Sequence, residues 1–102
     1  NLLKILKQKN PGWSRSVIPS GTYSGQDKDI PTASFQMHML ANCESVSTEL
    51  AYQITSSLAK RGAELSAVTA MLTDYDLSVM AKDVGVPMHP GAALFYREQG
   101  IE

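Results

Sequence analysis

Only two stretches of this 102-residue chain have the composition of a β-strand, and from residue 45 onward its apolar residues recur at helical spacing. An ordinary sheet has about four to six strands. Two strands followed by a helical tail therefore belong to a larger α/β fold, or to a unit that a partner chain completes. The first strand centres on Val17 and Ile18 and spans Trp13 to Ile18, with Pro19 stopping its ladder. The second gives the clearer signal. Ala33, Phe35, Met37 and Met39 alternate with Ser34, Gln36 and His38, which predicts one buried face and one partly polar face over 33–39.

Helices account for most of the rest. Leu2, Leu3, Ile5 and Leu6 form an apolar stripe over 1–9, ended by Asn10-Pro11-Gly12. After a turn at 41–45, Ser45 or Ser47 caps a helix carrying Leu50, Ala51, Ile54 and Leu58, with Gly62 as its stop. Leu65, Val68, Met71 and Leu72 mark a weaker second helix. Asp74 or Asp76 caps a short third one through Leu77, Met80 and Ala81, ended by Gly85. Pro90 suits the first position of a final helix over 91–99, anchored by Leu94 and Phe95. Between the strands runs a polar loop, residues 20–31, longer than the usual connection; long ordered loops are where function concentrates.

Composition excludes several classes. The chain is 43% apolar and 19% charged, which is globular and neither disordered nor disulfide-built. A net charge of −1 argues against nucleic acid as a partner. Lys4, Lys7, Lys9 and Arg15 precede the first carboxylate, Asp27; a solvated helix face explains this better than an anion-docking patch. Cys43 is the sole cysteine, so no intrachain disulfide forms and the redox compartment stays undecided. No stretch approaches the roughly twenty apolar residues that span a bilayer, and no secretory-leader pattern lies within these residues.

Catalytic patterns are missing: no nucleophile elbow, phosphate-binding glycine loop or paired zinc histidines. We therefore expect no enzyme activity and no cofactor. His38, Cys43 and His89 lack the paired spacing of a zinc site. The pairs Asp27/Asp29 and Asp74/Asp76 lack the further ligands of a calcium loop and fit turn or cap roles. His38 reads as a hydrogen-bonded surface residue. His89, just before Pro90, reads as a backbone-bonding residue at a helix start.

Two blocks go further. Residues 18–32 read I-P-S-G-T-Y-S-G-Q-D-K-D-I-P-T, and 86–92 read V-P-M-H-P-G-A, followed by F-Y-R-E-Q-G over 95–100. The first resembles the I-P-A-G-T-Y-P-G-Q block of the TAXI family of TRAP-transporter receptors, with its following D-I-P-T. The second resembles that family's closing P-M-H-P-G-A block, and Tyr52-Gln53-Ile54-Thr55 resembles its intervening helix. The blocks keep the family's order and cover nearly the whole chain. Ser20 and Ser24 depart from the usual Ala and Pro, Ser24 giving up a rigid turn residue, and 63–75 matches weakly.

The resemblance implies the C-terminal part of a type II periplasmic-binding-protein-like fold, an α/β architecture. Residues 1–31 would supply second-lobe helix, strand and long loop, 32–41 a crossing strand with Thr32 and Ala33 as hinge candidates, and 45–102 a helical tail. It implies an extracytoplasmic or periplasmic receptor that delivers a small organic acid or amino acid to a TRAP membrane permease. This chain alone would form at most one wall of the cleft. On that wall Thr22, Tyr23 and Gln26 offer hydroxyl and amide groups suited to a carboxylate or amino acid, with Gly21 and Gly25 permitting close backbone approach. The competing reading is a self-associating interaction module, a homodimer formed through an unpaired strand edge and an apolar helix face.

Overall fold

The order of elements in the computed structural model is α1 (Leu2–Lys9), β1 (Ser14–Ile18), β2 (Ile30–Ser34), α2 (Thr48–Ser66), α3 (Leu77–Met80) and α4 (Pro90–Glu98). The structure describes residues 1–69 and 76–101. Two compact units divide the chain: Asn1–His38 with Asp83–Gly85, and Met39–Lys82 with Val86–Glu102.

In the first unit, Asn1 caps α1 by accepting from the Leu3 N–H at 3.1 Å. The helix ends where Asn10 turns extended ahead of Pro11, whose ring disfavours helix at the preceding residue. The Asn10 side chain then accepts from the Gly12 N–H at 2.7 Å and fixes the turn into β1. Of the expected apolar stripe, Leu3 and Leu6 are half-buried while Leu2 and Ile5 stay exposed.

β1 and β2 pair antiparallel, with Ser14 opposite Ser34, Ser16 opposite Thr32 and Ile18 opposite Ile30. The second strand therefore corrects the expectation of 33–39. It begins three residues earlier and ends at Ser34. The cause is the partner: β1 extends only to Ser14, and the residues before it turn at Pro11-Gly12, so the ladder has nothing to continue on. Pro31 sits opposite Val17, tolerable in a two-stranded ribbon because each strand keeps an open edge. Thr32 and Ala33, expected at an element end, lie inside the pairing opposite Ser16 and Arg15. Past the strand, Phe35 packs edge-to-face on Trp13, ring centres 5.3 Å apart. The predicted buried face is not buried: Phe35 is 71% and Met39 70% exposed.

The second unit is built on α2 and α4. Ser47, one of the two expected caps, accepts from the Leu50 N–H at 3.1 Å. The helical geometry of α2 breaks at Arg61 (φ −113°, ψ 16°), one residue before the expected stop, and a second helical stretch runs on to Ser66 with Gly62 buried. Leu65 lies in the stretch beyond that break, which ends at Ser66; Val68, expected to continue it, follows in a turn and is exposed. Met71 and Leu72 of that expected helix lie outside the described residues, as does Asp74. Asp76 caps α3, accepting from the Val79 N–H at 3.0 Å and the Ser78 hydroxyl at 2.6 Å. Those bonds, the Ser78 hydroxyl foremost, hold its carboxyl below the ordinary aspartate value. α3 is over at Met80; Gly85, expected as its stop, belongs to a later turn.

α4 begins as the sequence indicated, with Pro90 in its first turn. It ends in a Schellman motif: the Gly100 N–H donates to the Arg97 carbonyl and the Ile101 N–H to the Tyr96 carbonyl. Ala51 of α2 and Phe95 and Tyr96 of α4 are the buried apolar residues, beside Thr55, whose hydroxyl returns to the Ala51 carbonyl at 2.8 Å. The expected anchor Leu94 is 39% exposed, and Tyr96 is the buried neighbour of Phe95 instead. Tyr52 stacks edge-to-face on Phe95 and donates its hydroxyl to Glu98 at 2.5 Å. The helices cross at Gly91, where hydrogen is the only side chain that fits against Ala51 and the Thr48 carbonyl.

Candidate solute-binding loop

Residues 19–29 join β1 to β2, and they contain all three sequence-predicted contact residues: Thr22, Tyr23 and Gln26. The loop is two consecutive turns. In the first, the Thr22 N–H donates to the Pro19 carbonyl at 3.2 Å, with Gly21 at φ +79° in the third position. In the second, the Gln26 N–H donates to the Tyr23 carbonyl at 3.1 Å, with Gly25 at φ +80°. A left-handed residue third in a turn is the type II signature, which explains glycine at both places. The Gly21 N–H donates to the Gln26 carbonyl at 2.9 Å and joins the two turns.

Side chains complete the lattice. The Gln26 amide NH2 reaches three carbonyls: Pro19 and Lys28 at 2.9 Å and Ile18 at 3.2 Å. Its oxygen accepts from the Tyr23 N–H at 3.3 Å. The Thr22 hydroxyl donates to the Pro19 carbonyl at 2.6 Å. Asp29 accepts from the Ser20 N–H at 2.8 Å and latches the return to β2. Tyr23 is different: it is 65% exposed, and its hydroxyl has no partner among the described residues. The structure thus brings the three residues together but uses the polar groups of Thr22 and Gln26 within the loop. Asp29 was missed as a latch because the sequence offers only an Asp-Lys-Asp triplet, with no sign of which carboxylate faces inward.

The other candidates lie elsewhere. His38 is exposed, its Nδ1 3.2 Å from the Gln36 carbonyl. His89 is structural: Nδ1 accepts from the Gly91 N–H at 3.1 Å, so Nε2 carries the proton and donates to the Val46 carbonyl at 3.0 Å. That fixes the tautomer and caps α4 with a side chain seldom used for the purpose. Cys43 is exposed and unbridged. Among the described residues, no group of three histidines, cysteines or carboxylates could hold a metal.

An antiparallel pair closed by an ordered loop, with helices before and after it, is an α/β architecture consistent with part of a periplasmic-binding-protein-like fold. Residues 1–100 match the NMT1-like family, and the chain belongs to that family. No curated protein matches the chain. Family membership carries a solute-binding role in general, for a small-molecule ligand, and binding-protein-like families are typically extracytoplasmic. No helix among the described residues is long and apolar enough to cross a membrane.

Proposed function

We propose that the chain is the C-terminal part of an extracytoplasmic solute receptor of the TAXI kind, which hands a small organic acid or amino acid to a TRAP-type membrane permease. The observation that carries this reading is the loop over 19–29: a self-bonded double turn that holds an exposed tyrosine at its surface. It falls on the sequence block that resembles the TAXI receptors most closely. On this reading the loop is one wall of a cleft, the chain captures nothing alone, and its role is binding and delivery rather than catalysis.

The test is ligand-dependent thermal stabilisation of the full-length protein with succinate, malate, L-glutamate and L-glutamine. A solute present at a hundred times its Kd adds about 2.7 kcal/mol of stability. No rise in melting temperature with any of the four would count against the proposal.

A second reading has its own observation. Phe35, Met37, Met39 and Leu40 form an exposed apolar run beyond the end of β2. Such a segment favours self-association by strand pairing. The isolated chain would then be a dimer in light scattering, and a monomer at high concentration would remove this reading.

A further inference from the structure

The three polar side chains of the loop do different work, and the hydrogen bonds divide them. Gln26 is half-buried, and both ends of its amide are engaged. Two amide hydrogens serve three carbonyls, so one is shared, and no donor is left for a solute carboxylate. The carbonyls come from Ile18, where β1 ends, from Pro19, where the loop leaves it, and from Lys28, just before β2. Gln26 therefore ties the loop's centre to both of its stems. Thr22 spends its hydroxyl on Pro19. The Tyr23 N–H is held by Gln26, while the ring and hydroxyl of Tyr23 project free.

Resting on the receptor reading above, we infer that Tyr23 is the loop's one solute-contacting side chain and that Gln26 is a positioning residue which acts on the solute only through it. The phenol hydroxyl donates to an acceptor on the solute, a carboxylate in the class proposed. The ring covers the carbon skeleton beside that group. Gln26 gives the tyrosine one backbone position, so ordering of the loop accompanies folding rather than binding.

Two arms of one experiment separate this inference from the receptor reading. The first needs no ligand: hydrogen exchange of the peptide covering residues 18–30 in the full-length protein. Gln26→Ala removes several hydrogen bonds at once and accelerates exchange about tenfold or more, whereas Tyr23→Ala leaves it near wild type. Gln26→Glu keeps the length but turns a carboxylate toward the carbonyl cluster. Its loop exchanges like that of the alanine variant at neutral pH. Protection returns, relative to wild type at the same pH, as acid protonates the new carboxyl and restores one donor. Wild-type protection in Gln26→Ala, or in Gln26→Glu at neutral pH, overturns the positioning role.

The second arm titrates the four solutes named above. Tyr23→Phe, which deletes only the hydroxyl, weakens binding about tenfold or more, the worth of a hydrogen bond to a charged group. Gln26→Ala weakens it too, but adds nothing once Tyr23 is alanine. Additive losses would make Gln26 a direct contact and overturn the inference. If no solute binds the wild type, the receptor reading and the Tyr23 contact fall together, while the exchange arm still decides Gln26.

Discussion

Replacing Gly91 by alanine tests the helix packing of the second unit. A Cβ built at Gly91 meets the Thr48 carbonyl oxygen, lies 2.7 Å from the Tyr52 nitrogen and 2.8 Å from the Ala51 Cβ. Two of the three are backbone atoms and the third is a Cβ, so none can swing aside. Ordinary contact at such a carbon begins near 3.4 Å. α4 must therefore lift from α2 by roughly 1 Å, a gap that forfeits about a quarter to a half of the dispersion between facing atoms. Those atoms belong to Ala51, Thr55, Phe95 and Tyr96, the buried side chains of this unit. Overpacking costs about 1–3 kcal/mol, and the rigidity of the contacts places this site at the upper end. Better helix propensity returns about 1 kcal/mol at most. The net loss is about 2–3 kcal/mol, a fall of roughly 10–20 °C in Tm for a domain of this size. Thermal melts followed by far-ultraviolet circular dichroism measure it. The contrast is Gly25→Ala, whose Cβ meets nothing within 4 Å and costs only the left-handed backbone, about 1 kcal/mol. A Gly91→Ala protein melting within 2–3 °C of wild type, less than about 1 kcal/mol for a domain of this size, would refute the close helix crossing.

Three further outcomes are expected. Ser24→Pro places proline second in the loop's second turn, the position at which a type II turn favours proline and where the resembling family carries it; stability rises by about 0.4–1 kcal/mol in urea unfolding. Ser47→Ala removes the cap on the Leu50 N–H and costs about 1 kcal/mol by the same assay. Tyr52 ionises above the ordinary tyrosine range, chiefly because its hydroxyl donates to Glu98, with burial and the Glu98 charge adding to the effect. Its folded value exceeds the unfolded one, so the stabilising bond is fully present below the ordinary range and is lost as pH rises through the raised value. Tyr52→Phe should delete that late component from the phenolate absorbance titration.

Local chemistry was readable and partnership was not. Asn10-Pro11 ending α1, Ser47 capping α2 and His89-Pro90 opening α4 are decided by one or two residues and their own backbone. The alternation over 33–39 was real in the sequence, yet a strand needs a neighbour, and β1 supplies none beyond Ser14. The stop signal of Gly62 shows as the break at Arg61, while the second helical stretch that follows it to Ser66 had no local signal of its own. In the loop, the residue types at Thr22, Tyr23 and Gln26 pointed to polar contacts. Whether a polar group turns outward or toward its own carbonyls depends on the fold of the turn, which the types alone do not encode.

The antiparallel register, with Ile18 opposite Ile30, has a consequence for how damage to this protein would look. The loop begins and ends on that single rung, and Gln26 ties its middle to the same place. The ribbon and the loop therefore share one point of attachment. On the receptor reading proposed above, a substitution that loosens the rung would scatter the positions open to Tyr23 and read out as weaker solute binding. A screen for lost solute binding would then collect mutations in Ile18 and Ile30 beside those in Tyr23, and the former would be mistaken for contact residues.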